Sequence, residues 1–230
     1  MPEAVIVATA RTPIGRAFKG SLRHLRPDDM AATAIRTALD KVPDLDPADI
    51  DDLYLGCGLP GGEAGFNMGR VVAVMLGYDR LPAATLTRYC ASSLQTTRMA
   101  LHAIRSGEGD VFISAGVEAV SRYARGNSDV LPDAAQELVG GGWQNPVFDT
   151  ARQRSRQRAE TGADTWTDPR DEAELPDVYL ARGQTAENLA AQRGISRAEM
   201  DEFGVRSQNL AEAAINDGFW AEEITPITLP

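Results

Sequence analysis

The first half of the chain alternates between short apolar runs and stretches whose apolar side chains recur at helical spacing. Four short runs rich in apolar or β-forming side chains predict strands, at residues 4–8, 53–55, 85–89 and 111–114. Helical spacing predicts three helices, starting near Pro27, covering residues 67–76, and running from just after Cys90 to about Gly107. Strands and helices that alternate through short connections are typical of an α/β fold with a largely parallel sheet.

The pattern changes after Arg122. Residues 123–176 are polar and poor in periodicity, which indicates a loop region inserted into the fold and not sheet core. Two further helices are predicted, one over residues 185–193 and one that opens with a capping box at Ser196 and runs to about Asn216.

These changes predict three segments along the chain. An N-terminal α/β domain covers residues 1–122, and an inserted loop domain covers residues 123–222. Residues 223–230 are strand-like, and we interpret them as the start of a strand that returns to the N-terminal domain.

Composition and charge narrow the class of protein. Of the 230 residues, 43% are hydrophobic and 24% are charged, which is a normal globular balance. The formal net charge of -10 repels nucleic acid and anionic membranes, so we expect neither as a partner. The N-terminus has no basic leader followed by a long apolar stretch, and two cysteines are too few for a disulfide framework. We therefore expect a cytoplasmic protein whose first residues already belong to the fold.

Cys90 is the first candidate for chemistry because it lies where a predicted strand meets a predicted helix. The unpaired N–H groups and the positive dipole at a helix start favour thiolate over thiol, as a nucleophilic cysteine requires. The small residues Ala91, Ser92 and Ser93 leave room for another group to approach. From position alone, an ordinary buried cysteine remains the alternative. Cys57 follows a strand in a turn where nothing nearby would activate it.

Other patterns carry alternative interpretations. Residues 56–61 match the G-x-G-x-x-G of dinucleotide-binding turns, but Pro60 stands where the phosphate-binding helix should begin. Four alternating arginines between residues 152 and 158 suit either a phosphate site or a solvated face. Neither cysteine has metal-ligand spacing to His24 or His102, so we expect no metal site. His102 is also too far along its predicted helix to act as a base for Cys90.

Several segments resemble, in order along the chain, signatures of the thiolase family. T-R-Y-C-A-S-S at residues 87–93 is similar to the family's N-x-x-C-x-S-G, which carries the acyl-accepting cysteine. R-T-P-I-G at residues 11–15 is similar to the N-terminal R-T-P-x-G of thiolases. Further matches lie within residues 56–70, 115–121, 183–188 and 203–224. Together they cover nearly the whole chain.

The resemblance implies an α/β, thiolase-like layered fold, of which this chain carries the first half with its inserted loop domain and lacks the C-terminal half. It implies an acyltransferase that cleaves 3-ketoacyl-CoA with CoA, or condenses acetyl-CoA in reverse, through an acyl-cysteine on Cys90. The implied substrates are CoA thioesters, with no separate cofactor. By analogy the protein associates with itself as a dimer or tetramer.

The resemblance also shows departures from the family pattern. Thr87 replaces the usual Asn and Ser93 the usual Gly of the nucleophile signature. Arg182 stands where a methionine often precedes the glycine, in a region that lies over the acyl site in the family. Arg182 and Gln184 are therefore the candidate residues for contacting the CoA substrate, although Arg182 also suits a phosphate or carboxylate.

The family's G-H-P histidine, its C-x-G-G-G cysteine and its N-x-x-x-D-G-A-A stretch do not occur in this sequence. We expect them in a second half beyond Pro230, and we expect a truncated chain that turns over little or no substrate alone. The alternative is a degenerate thiolase-like module that binds CoA or supports assembly without turnover. The ketoacyl synthase branch of the same fold is disfavoured by the thiolase-like segment at residues 183–188.

Overall fold

The computed structural model describes residues 2–122, 145–162 and 166–229. The chain divides into two compact units. The first comprises Met1–Val130 with Phe219–Pro230, and the second comprises Leu131–Gly218. The domain boundaries expected at residues 122 and 222 stay a prediction.

A parallel sheet forms the centre of the first unit. In the described residues it contains β1 (Asp52–Gly56), β2 (Ala83–Leu86) and β3 (Phe112–Gly116), in the order β2-β1-β3. Leu53 of the middle strand lies opposite Ala83 on one side and Ile113 on the other. The sheet confirms the expected α/β fold with parallel strands.

Three helices pack around this sheet: α1 (Pro27–Asp40), α2 (Met68–Met75) and α3 (Ser92–Ser106). Pro27 opens α1, and the acidic Asp28 and Asp29 lie in its first turn, where they suit the helix dipole. The core consists mainly of apolar side chains from β1, α1 and α2, of which Leu53, Leu55, Met68 and Val72 are almost wholly buried. These helices lie where helical spacing predicted them.

The second unit is helical in its described part. It contains α4 (Asp149–Thr161), α5 (Arg182–Arg193) and α6 (Arg197–Asn216). The capping box predicted for α6 is present, with Ser196 and Glu199 bonding reciprocally. Single-turn 3-10 helices occur in both units, at Ser21–His24, Pro47–Asp49, Gly62–Ala64, Val120–Arg122, Pro146–Phe148, Pro169–Glu172 and Phe219–Glu222. No helix in the described residues is long and apolar enough to cross a membrane.

The strand predicted at residues 4–8 was wrong. The segment is irregular, and the side chain of Ile6 is 75% exposed. Its neighbour Arg11 forms one parallel bridge with Ile224, through hydrogen bonds from Arg11 N–H to the Glu223 carbonyl and from Thr225 N–H to the Arg11 carbonyl. An apolar run favours burial, but a strand also needs a neighbouring strand along its length.

Two other boundaries differ from the sequence prediction. The strand expected over residues 85–89 is Ala83–Leu86, because the chain turns at Tyr89, whose φ is 48°. The region 123–176, expected to lack regular structure, contains α4 in its described part. Residues 123–144, including the three glycines at 140–142, lie outside the described residues.

Candidate active site

Cys90 lies in the tight turn that joins β2 to α3. Ala91 caps α3, so Cys90 immediately precedes the cap. Ser92 ties this turn together, because its Oγ accepts a hydrogen bond from the Arg88 N–H (2.8 Å) and donates one to the Tyr89 carbonyl (2.6 Å). The sequence thus folds locally so that the cysteine stands beside the start of a helix, as its position predicted.

Cys90 and Cys57 differ sharply in their surroundings. Cys90 is exposed, whereas Cys57 is 1% exposed and belongs to the core, and neither is in a disulfide. Reagents and substrates therefore reach the sulfur of Cys90 in preference to that of Cys57. The catalytic role of Cys90 stays a prediction.

Two glycines bring the start of α3 onto the ends of the strands. A Cβ at Gly56, the last residue of β1, would lie 2.7 Å from the Ser92 carbonyl carbon. A Cβ at Gly116, the last residue of β3, would lie 2.7 Å from the Ser93 Cβ. Such distances are too short for carbon atoms, so both positions require glycine. Sequence reasoning missed this contact, and the signal was a glycine at the carboxyl end of each strand.

The same geometry does not fit the dinucleotide-binding interpretation of residues 56–61. That motif needs a helix directly after its glycines, with its N-terminus aimed at the phosphates. Here the chain makes only the single turn Gly62–Ala64, and α2 begins at Met68 after Asn67 in the left-handed region. Gly56 packs against α3 instead.

Glu63 anchors this turn between two arginines. Arg122 pairs with the Glu63 carboxylate through its guanidinium, including a 2.8 Å hydrogen bond from Nη2, and Arg26 reaches the same carboxylate at 3.1 Å. The hydrogen bond with Glu63 raises the pKa of Arg122, and that with Asp28 raises the pKa of Arg26. Both arginines stay charged at physiological pH. Their ion pairs with Glu63 therefore hold the segment after β1 in place.

The two histidines of the sequence take different positions. His102 is exposed on α3, about 15 Å along the helix axis from Ser92, and so cannot act directly on Cys90. His24 lies in the turn Ser21–His24, where its Nε2 accepts a hydrogen bond from Arg23. In the part of the chain that the structure describes, no three His, Cys, Asp or Glu side chains converge as metal ligands would.

The candidates Arg182 and Gln184 lie in the second unit. Gln184 is half-buried and lines a groove of about 1070 Å³ formed by α4, α5, the start of α6 and the segment before α5. Arg182 is the exposed first residue of α5 and does not line this groove. A contact between either residue and a CoA substrate stays a prediction.

The alternating arginines lie on α4 and pair within the second unit. Arg152 binds Asp149 at 3.0 Å, and Arg154 pairs with Glu174 and donates to the Leu175 carbonyl at 2.8 Å. Arg158 hydrogen-bonds to the Asn188 side chain of α5. These contacts account for Arg152, Arg154 and Arg158 without a bound phosphate.

Comparison with known proteins agrees with this architecture. The family described as "Thiolase, N-terminal domain" matches residues 4–230. The beta-ketoadipyl-CoA thiolase of Acinetobacter baylyi is 36% identical over 100% of this chain and 53% of its own length. That of Pseudomonas knackmussii is 35% identical over 99% and 52%, and the 3-ketoacyl-CoA thiolase of Bacillus subtilis is 34% identical over 99% and 49%.

The chain therefore spans about half the length of the curated relatives it matches. The family match covers nearly all of its residues. This chain belongs to the thiolase family, and it carries the family's N-terminal domain.

Proposed function

We propose that this chain supplies the nucleophile for thiolase-type acyl transfer, with Cys90 as the acyl carrier. The exposed thiol in the turn before α3 is the observation that carries the proposal. The thiolase relatives support it, since the names of those proteins specify 3-ketoacyl-CoA or beta-ketoadipyl-CoA. The substrates proposed here are therefore CoA thioesters, with no separate cofactor.

The proposed chemistry has two steps. The Cys90 thiolate attacks the keto carbon of a 3-ketoacyl-CoA, the bond between the α and β carbons breaks, and acetyl-CoA leaves after its α carbon takes a proton. The acyl group stays on sulfur until a CoA thiolate takes it, which restores the Cys90 thiolate. Each step passes through an oxyanion that needs preorganised donors, and the Cys90 N–H is one candidate.

We propose that the 230-residue chain accepts an acyl group without turning over. A full cycle needs a base for the incoming thiol and a proton donor for the departing carbon. His102 lies too far along α3 for either role. Multiple turnovers of 3-ketoacyl-CoA by the purified chain would contradict this part of the proposal.

Intact mass spectrometry after incubation with acetyl-CoA tests the acyl transfer. The expected result is one acetyl adduct per chain, absent in Cys90→Ala and retained in Cys57→Ala. The Cys57→Ala variant is the matched control, because it removes the other thiol while the exposed one remains. Absence of the adduct from the wild-type chain would refute acylation of the isolated chain.

A second candidate function is a module that binds CoA without chemistry. It is favoured by the position of His102, which leaves Cys90 without that histidine as a base. Calorimetry with CoA separates the two proposals. The module predicts saturable binding that is equal in the wild type and in Cys90→Ala, together with no acetyl adduct in either.

We also propose that the protein is cytoplasmic and associates with itself as a dimer or tetramer. The cytoplasmic assignment rests on the substrate class and on two cysteines that are not in a disulfide. The self-association rests on analogy with thiolases. It is supported by a run of exposed apolar side chains at Val5, Ile6 and Val7.

A further inference from the structure

Thr87 lies at the centre of a chain of hydrogen bonds that ends at the residue before Cys90. Its Oγ1 accepts a hydrogen bond from the Tyr89 N–H (3.2 Å) and donates one to the Gly58 carbonyl (2.9 Å). The Gly58 N–H in turn donates to Oε2 of Glu118, at 2.7 Å. Three consecutive hydrogen bonds therefore connect Glu118, which follows β3, with Tyr89 in the turn of the nucleophile.

Tyr89 is the residue that needs this support. Its φ of 48° lies in the left-handed region, which is unfavourable for a bulky side chain and persists only where neighbouring contacts hold it. The hydrogen bond from Ser92 Oγ holds the Tyr89 carbonyl, and Thr87 holds the Tyr89 N–H. If Thr87 lost its hydroxyl, the turn would be free to relax and to carry Cys90 away from the start of α3.

Glu118 fits closely against the Gly58 peptide. A Cβ at Gly58 would lie 2.6 Å from Glu118 Oε2 and 3.4 Å from the Tyr89 carbonyl carbon. The other carboxylate oxygen, Oε1, accepts a hydrogen bond from the Cys57 thiol at 3.7 Å. The carboxylate thus fixes the two residues that follow β1 at the point where they meet the turn of Cys90.

We propose that Glu118 and Thr87 are positioning residues that act together to hold Cys90 in its reactive place. Thr87 stands where the family signature usually has Asn, so this chain uses a hydroxyl to join the two backbone segments. The effect of Glu118 and Thr87 on acyl transfer rests on the proposed function. Their effect on the position of the Cys90 thiol is independent of that function.

The test compares two reactions of Cys90 across the same set of variants. The first is acetylation by acetyl-CoA, in which the sulfur bonds to the acetyl carbon, the bond to the CoA sulfur breaks, and CoA leaves. The second is alkylation by iodoacetamide, in which the sulfur displaces iodide. The variants are Thr87→Val, Thr87→Ser, Glu118→Ala, Glu118→Gln and the Thr87→Val/Glu118→Ala double variant, each followed by intact mass.

Thr87→Val and Glu118→Ala are each expected to slow both reactions about fivefold, the effect of one ordinary hydrogen bond on a rate. The double variant should be no slower than the slower single variant, because either change breaks the same chain of hydrogen bonds. Thr87→Ser should recover the wild-type rate, since it restores the hydroxyl. Thr97→Val is the matched control, because the Thr97 hydroxyl bonds instead to Ser93 and Ser114, and its rates should not change.

Glu118→Gln keeps an oxygen that can accept the Gly58 hydrogen bond, so its rates should stay nearer the wild type than those of Glu118→Ala. Unchanged rates in Glu118→Ala would overturn the proposal. Additive effects in the double variant, or a Thr87→Ser rate as low as that of Thr87→Val, would overturn it as well. Because Glu118 is exposed, its variants should fold. They therefore keep the test valid even if Thr87→Val does not fold. If the wild-type chain is alkylated but never acetylated, and the alkylation rates follow the expected order, the proposed function fails and the positioning role stands. If acetylation occurs at equal rates in all variants, the positioning role fails and the proposed function stands.

Discussion

The packing of α3 against the sheet depends on the absence of a Cβ at Gly56. Gly56 ends the middle strand of the sheet, and its backbone contacts the start of α3 so closely that any Cβ would collide with Ser92. The collision involves backbone atoms of a helix, which cannot rotate away as a side chain would. The start of α3 is therefore held against the sheet by the absence of a side chain.

We predict that Gly56→Ala destabilises the first unit by about 1–3 kcal/mol, the usual cost of overpacking. Urea denaturation followed by circular dichroism measures the change. Gly204→Ala is the matched control, since Gly204 lies within α6 with no atom near its Cβ position. That control should gain up to about 1 kcal/mol in helix stability from the better propensity of alanine. Equal effects of the two changes would show that the contact with Ser92 does not constrain the fold.

At the scale of elements, the capping box of α6 joins two residues of the second unit by reciprocal hydrogen bonds. The Ser196 Oγ accepts a hydrogen bond from the Glu199 N–H, and the Glu199 carboxylate accepts one from the Ser196 N–H at 2.8 Å. Replacing Ser196 by Ala should lower the opening free energy of the first turn by about 1 kcal/mol, measured by amide hydrogen exchange. Ser207→Ala, in the middle of the same helix, should leave it unchanged or slightly raised.

The same capping box predicts a pH dependence. Hydrogen bonds from the backbone and hydroxyl of Ser196 lower the pKa of Glu199. A carboxyl whose pKa is lowered by folding stabilises the folded state above its unfolded pKa of about 4.3, and this contribution is lost as the pH falls through the lowered value. Exchange protection of the first turn should therefore fall in acid. This fall should disappear in Glu199→Gln and persist in the control Glu202→Gln.

The sequence predicted helices better than strands, for physical reasons that particular residues illustrate. The start of α1 at Pro27 and the capping box at Ser196 are local signals, so they could be read without knowing the rest of the fold. Residues 4–8 look like a strand because they are apolar, but pairing depends on a partner elsewhere in the chain. Helix α4 was missed because few apolar side chains mark it, and it is held by ion pairs such as Arg154 with Glu174.

In the candidate site, too, local features could be predicted from the sequence and long-range contacts mostly could not. The position of Cys90 at the junction of strand and helix followed from local pattern. A glycine at the end of β1 and of β3 was a signal for the contacts of Gly56 and Gly116 with the start of α3. The hydrogen bond from Gly58 to Glu118 had no local signal, because it joins segments that are distant in sequence.

At the scale of the whole molecule, the proposed self-association is open to direct measurement. A chain of 24.7 kDa that associates should give a weight-average mass of at least twice that value in light scattering. Since the exposed run at Val5, Ile6 and Val7 favours association by burial of apolar surface, Ile6→Asp should lower this mass. Ile14→Asp is the matched control, because Ile14 is also exposed but lies between Pro13 and Gly15, outside the apolar run. A mass of a single chain at every concentration would contradict the proposed dimer or tetramer.

The order of the strands also sets the order in which the molecule can assemble during synthesis. The middle strand, β1, leaves the ribosome before both of its neighbours, and its partner β3 follows about sixty residues later. Until then, the backbone of Leu53 and Leu55 lacks its hydrogen bonds with β3. Pairing between strands that are distant in sequence is slow. A pause in translation before residue 116 would prolong the time in which β1, the most buried of the described strands, lacks its second partner, so folding yield should depend on how quickly that stretch is made.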